Sequence, residues 1–204
     1  MNKNRLEAFS DGVLAIVITI MVLEFKVPHS ADLNDLIPVV PTFLSYVLSF
    51  IYIGIYWNNH HHLLNASEKV TGKILWANLH LLFWLSMIPF VTAWMGENHF
   101  ASTPVGLYGF VLMMAGVAYY ILEQSLVIHH GKNSLLSKAV GNDKKGITSV
   151  ILYMLAIVIS YYNQWVSGAI YIFVALMWLI PDARIEKAVE KEEKLPEDRD
   201  VTRN

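Results

Sequence analysis

Long apolar blocks broken by short polar stretches constrain this chain more than any other feature. Six can be marked, over residues 5–27, 37–64, 70–95, 104–130, 147–162 and 164–180. A hydrocarbon core of roughly 30 Å takes about 20 apolar residues per crossing helix. Helices also satisfy their own backbone polar groups, which lipid cannot do. Charge agrees: Asp, Glu, Lys and Arg make up 16% of the chain, against about 25% in a soluble domain. The last two blocks adjoin. Read as one helix, 147–180 would run for about 50 Å, too long for one crossing. A tight hairpin of two short spans is therefore expected. The expected fold class is all-α, a polytopic membrane protein with six transmembrane helices.

Basic residues test this division, because Lys and Arg concentrate in cytoplasmic loops. Place both termini in the cytoplasm. Lys3 and Arg5, Lys69 and Lys73, and Lys132, Lys138, Lys144 and Lys145 then fall inside. So do Arg184, Lys187, Lys191, Lys194, Arg199 and Arg203 of the C-terminal stretch. Lys26 alone falls outside. Five spans or seven would destroy the asymmetry. The expected organisation is a transmembrane domain over residues 1–182 and a charged cytoplasmic tail over 183–204, multi-pass in the cell membrane. The tail reads as a solvated helical extension, with Glu190 and Lys194 one turn apart. Pro38, Pro41 and Pro104 lie in first turns, where a missing N–H costs little. Pro89 predicts a kink near the outer end of the third helix, and Pro181 closes the sixth. Asp11 interrupts any signal-peptide core, so no cleavable signal peptide is expected. The absence of cysteine excludes disulfides, zinc–thiolate sites and thiol catalysis. The lipid bilayer is the expected partner, and nucleic acid is not.

The first span is the odd one. Its uninterrupted apolar run, Val13 to Leu23, is 11 residues long and includes Thr19. Arg5, Glu7, Ser10 and Asp11 precede it, and Glu24 and Lys26 follow. An ionisable side chain at membrane depth costs about 2.5–3.5 kcal/mol even on the lenient insertion scale. Such residues face protein or a water-filled path, so this helix should be surrounded by protein, or by copies of itself. Ile16, Thr19 or Ile20, and Leu23 recur at helical spacing and form one stripe. Spacing alone leaves two readings open: ordinary packing, or a hydrophobic constriction where several copies meet on an axis.

The run Arg5, Leu6, Glu7, Ala8, Phe9, Ser10 and Asp11, with Ala15, Ile16 and Thr19 beyond it, resembles the R-x-x-x-F-S-D signature of the transmembrane protein 175 family of potassium-permeable channels. The likeness spans essentially the whole chain. It includes the six-helix layout, the run Asn58, Asn59, His60, His61 and His62, and the ending Trp178, Pro181 and Asp182. The resemblance implies a single-repeat homotetramer, as in prokaryotic members, with the first helix of each subunit lining a central pore. It places Ile16 at the family's isoleucine or leucine constriction, with Thr19 and Leu23 one and two turns further on and Ile20 as the alternative to Thr19. It implies that Arg5, Phe9, Ser10 and Asp11 hold the pore helix rather than bind ions. Asn58, His61 and His80 are candidate polar partners for Ser10 or Asp11. Monovalent cations are the implied permeant ions, with potassium favoured modestly over sodium. No cofactor, metal or enzymatic activity is implied.

Two sharper readings compete. Five histidines share the cytoplasmic side: His60, His61 and His62, and His129 and His130. Neutral imidazole binds zinc, copper and iron, so a histidine-coordinated membrane metalloenzyme is one alternative. Contiguous histidines on a helix point in different directions, however. A proton-coupled transporter using Asp11 is the other, with Glu123 the only second membrane carboxylate. The stretch Thr103, Pro104, Val105, Gly106, Leu107, Tyr108 and Gly109 mimics a potassium filter. Pro104 and Leu107 break the consecutive run of carbonyls that such a filter needs.

Overall fold

A computed structural model describes residues 3–65, 67, 70–130 and 143–179. Helix α1 spans Lys3–Ile20, and a 3-10 turn, Met21–Glu24, prolongs it. A second 3-10 stretch, Leu33–Val39, leads into α2, Val40–Asn65. Then follow α3 (Gly72–Ser86), α4 (Ile88–Glu97), α5 (Ser102–His130), α6 (Lys144–Ser160) and α7 (Gln164–Leu179). Among the described residues, four helical stretches are long and apolar enough to cross a membrane: Lys3–Glu24, Leu33–Asn65, Gly72–Glu97 and Ser102–His129. The α6 and α7 helices, of 17 and 16 residues, reach about 25 Å each.

The expected hairpin over 147–180 is present. Its turn is closed by Tyr162 and Asn163, whose N–H groups both donate to the Ile159 carbonyl at 2.8 Å. The Asn163 side chain then caps α7, accepting from the N–H groups of Trp165 and Val166. Two boundaries differ from expectation. The first helix stops at Glu24 instead of Val27, because the chain turns extended at Phe25. The kink expected from Pro89 is present as a one-residue interruption at Met87, which keeps helical dihedrals, nearer the middle of the third span than its outer end. Pro89 falls in the first turn of α4, where its absent N–H is not needed. Pro181 and the 183–204 tail lie outside the described residues.

In the bundle, α5 packs on α3, α4, α6 and α7, and α2 packs on α4 and α7. Helix α1 lies to one side, against α2 and α3. Between helices in lipid, packing and hydrogen bonds replace the hydrophobic effect. The core shows both. Ser49 Oγ meets Thr92 Oγ1 at 2.6 Å and the Tyr108 hydroxyl at 3.0 Å. Tyr52 donates to the Tyr171 carbonyl at 2.6 Å, and Tyr171 donates to the Val105 carbonyl at 3.0 Å. Small residues permit the approach. A Cβ on Gly96 would lie 2.6 Å from Thr42 Cα and from Ser45 Oγ, so α2 crosses α4 against bare backbone. One on Gly109 would overlap the Tyr171 hydroxyl. Gly96→Ala must push α2 and α4 apart. It should cost about 1–3 kcal/mol, read as a lowered melting temperature of the detergent-solubilised protein.

Candidate functional site

The polar half of α1 is held by a chain of side chains from α2 and α3. Ser10 is fully buried, and its hydroxyl donates to the Leu6 carbonyl at 2.9 Å. That leaves its lone pairs to accept, and Asn78 Nδ2 on α3 donates to them at 2.9 Å. The Asn78 carboxamide is thereby oriented, so its Oδ1 faces His60 Nε2 on α2 at 2.7 Å. An oxygen there requires Nε2 to carry the proton. His60 Nδ1 is then a bare lone pair, buried with no partner among the described residues. One carboxamide thus joins three helices.

A second set lies nearer the surface. Trp57 Nε1–H donates to Asp11 Oδ1 at 3.0 Å. His61 Nδ1 lies 3.0 Å from Glu7 Oε1, while Asn65 Nδ2 donates to His61 Nε2 at 2.8 Å. His61 therefore carries its proton on Nδ1, the opposite tautomer to His60. Lys3 Nζ closes the end of the helix on the Asn65 carbonyl at 3.2 Å. Arg5 and Phe9 are exposed.

Of the expected polar partners, none meets Ser10 or Asp11. Asn78 and Trp57 stand in those places instead. His61 does bind α1, but at Glu7. His80 accepts from Trp84 on its own helix at 3.0 Å. Asn58 is half-buried beside Trp57. Helical period accounts for this. Trp57 and His61 share a face of α2, and Asn58 is turned about 100° from Trp57. On α3, Asn78 falls among Ile74, Ala77, Leu81, Leu82 and Leu85 on the buried face, and His80 falls off it. That periodicity, applied to α3, would have singled out Asn78.

The opposite face of α1 is bare. Leu6, Ser10, Leu14, Val17 and Met21 are buried, while Ile16 is 61% exposed, Ile20 39% and Leu23 80%. Thr19 is exposed as well, its hydroxyl donating to the Ile16 carbonyl at 2.9 Å. The 3-10 turn changes the register of the stripe. At about three residues per turn, Leu23 falls one turn directly beyond Ile20 instead of between Thr19 and Ile20. Beyond it, Lys26 Nζ pairs with Glu97 Oε1 at 2.8 Å, tying this end to α4. The histidines do not converge. His60 goes to Asn78 and His61 to Glu7, and His62 packs edge-on against the His61 ring. Among the described residues, no group of three His, Asp or Glu side chains could hold a metal ion.

The sequence model of the family described as the endosomal/lysosomal potassium channel TMEM175 matches residues 5–89, the stretch that carries this network. A potassium channel of Chryseobacterium sp. (strain P1-3) is 54% identical over 94% of this chain and 100% of its own length. The chain belongs to the TMEM175 family. That is a family of channels, not of enzymes. The crystal structure of a lysosomal potassium-selective channel TMEM175 homolog from Chamaesiphon minutus superposes with a TM-score of 0.76 at 26% identity, covering 88% of this chain and 97% of that one. The human endosomal/lysosomal proton channel TMEM175 is 33% identical over 51% of this chain, which is 23% of the human protein.

Within this TMEM175 fold the buried carboxamide is the joint most sensitive to substitution. Asn78→Leu keeps the branched shape but strands Ser10 and His60 Nε2. It should destabilise the protein by about 1–3 kcal/mol. Asn58→Ala should stay within about 0.5 kcal/mol. Thermal melting of the two variants in detergent separates them.

Proposed function

We propose that this chain is a potassium-permeable channel, with its pore formed where the α1 helices of four copies meet on a central axis. The observation that carries this reading is the bare stripe of α1. Its other face is bonded to α2 and α3 through Ser10, Asp11 and Glu7, so the helix cannot turn the stripe inward. Membrane helices that carry ionisable residues pack against protein or line water. A neighbouring copy supplies that protein. The names of the bacterial relative and of the Chamaesiphon homolog support potassium as the ion.

Ile16 forms the constriction, with Ile20 and Leu23 as wider rings and Thr19 at the flank. A ring of branched apolar side chains sets width and wetting in place of a carbonyl filter. Potassium sheds hydration water at lower cost than sodium, so the ring passes it more readily. Arg5, Phe9, Ser10 and Asp11 hold the helix. Asp11 is bound by an indole, which donates a proton but cannot accept one. A proton relay through Asp11 would need a partner that does both. Both termini lie in the cytoplasm, the side to which the basic residues sort.

Two measurements test this. In liposomes with an outward potassium gradient, potassium should flow without a proton gradient. Ile16→Asn should raise sodium flux severalfold relative to potassium, because a polar ring wets more easily. A requirement for a proton gradient would sink the channel reading. The chain has no cysteine, so single replacements report neighbours cleanly. Ile16→Cys should give disulfide-linked dimers under mild oxidant, and Phe173→Cys on the α7 surface should not. The reverse pattern would place the axis elsewhere.

A further inference from the structure

A cavity opens between α2, α5, α6 and α7, at the end of the bundle that holds the N-terminus of α1. It takes no part in the axial pore, since α1 contributes nothing to its wall. Its free volume is about 40 Å³. A water needs about 10–15 Å³ on this measure, so it holds about three waters, or one small polar head.

The wall is unusual for a polar pocket. Tyr56 and Tyr119 stand with ring centres 6.2 Å apart and planes at 62°, and Tyr153 and Trp178 complete the ring. Three of the four polar tips are engaged elsewhere. Tyr119 donates to the Asn59 carbonyl at 3.2 Å, Tyr153 to the Tyr52 hydroxyl at 3.3 Å, and Trp178 to Ser149 Oγ at 2.8 Å. Only the Tyr56 hydroxyl has no partner among the described residues. What the cavity offers is aromatic rings, the free Tyr56 hydroxyl, the Asn59 and Ser149 side chains, and one carboxylate, Asp143. Asp143 Oδ1 accepts from the Gly146 N–H at 2.9 Å, and its second oxygen has no other partner among the described residues. Aromatic rings around a carboxylate attract an ammonium group. The pocket shows that affinity internally: Lys145 Nζ lies 5.9 Å from the centre of the Trp178 ring.

The rim carries the opposite preference. Lys144, exposed at the start of α6, is the chain neighbour of Asp143, whereas the Lys145 ammonium is turned to the Trp178 ring. A ligand with positive charge alone would meet Lys144. A ligand whose ammonium sits next to a phosphate matches both parts, ammonium inside and phosphate at the rim. The start of α6 is also where a span emerges from the apolar layer, the depth of lipid headgroups. We propose that this pocket binds a primary ammonium carried beside a phosphate, the chemistry of an ethanolamine phospholipid headgroup. It is a binding site separate from the pore, and it ties α6 and α7 to α2 and α5.

The test uses the delipidated full chain in detergent, with native mass spectrometry and thermal melting as readouts. Phosphatidylethanolamine should bind and raise the melting temperature, and phosphatidylglycerol, which lacks the ammonium, should do so more weakly. Asp143→Asn keeps a helix-capping oxygen but removes the charge. Without lipid it should melt like the parent, and its affinity for phosphatidylethanolamine should fall about tenfold, the loss of one charge-assisted contact. Tyr56→Ala should weaken binding in the same direction. Free O-phosphoethanolamine is the second ligand arm. Binding of the lipid alone assigns the site to the membrane, and equal binding of the free compound assigns it to a soluble headgroup. Binding of neither, equal binding of the two lipids, or an unaltered affinity in Asp143→Asn overturns the proposal.

Discussion

One carboxamide fixes the rotation of the first helix. Asn78 donates to Ser10 on α1 and accepts from His60 on α2, all within a buried patch. In lipid, an unmatched polar group of this kind has no water to turn to. Each partner therefore holds the others, and α1 cannot roll without stranding at least one of them. The stripe through Ile16, Ile20 and Leu23 points away from the bundle because the opposite face is committed. The pore proposed for this chain is in that sense a consequence of polar bonding behind the pore helix, not of contacts along the pore itself.

The same logic organises the remaining helices. Hydroxyl groups of Ser49, Thr92, Tyr52 and Tyr171 pair across helix boundaries, and Gly96 and Gly109 let the backbones come close enough for them to do so. The result is two regions with different duties. Helices α2 to α7 form a body bonded to itself. Helix α1 is clasped to its side, with Lys26 and Glu97 tying the far end at the surface. An exposed ion pair contributes about 0–1 kcal/mol, so the buried clasp, not this pair, determines where the helix sits.

Much of the architecture was legible from the chain alone. The adjoining blocks over 147–180 exceeded one membrane thickness, and length by itself required the turn that Asn163 closes. Pro89 announced an interruption because a proline cannot bond within a helix, though its position at the start of a new helix placed the break earlier than a kink would be. The stop of α1 at Glu24 was less visible, since the nearest proline, Pro28, stands four residues further on. The partners of Ser10 and Asp11 were misassigned to Asn58, His61 and His80. Polarity nominated those residues, whereas the faces of two helices in contact selected Trp57 and Asn78.

The sequence by itself determined the all-helical membrane architecture, the family, and the stripe of α1 set apart from its polar end. These follow from composition, period and a short motif, all local in the chain. Tertiary structure decided which side chains meet that polar end. It also decided that Leu23 lines up with Ile20, and that Tyr56, Tyr119, Tyr153, Trp178 and Asp143 line one cavity. These depend on residues from different helices approaching within hydrogen-bond or ring-contact distance. No spacing along one helix specifies that, because the rotation of each helix is set by its neighbours.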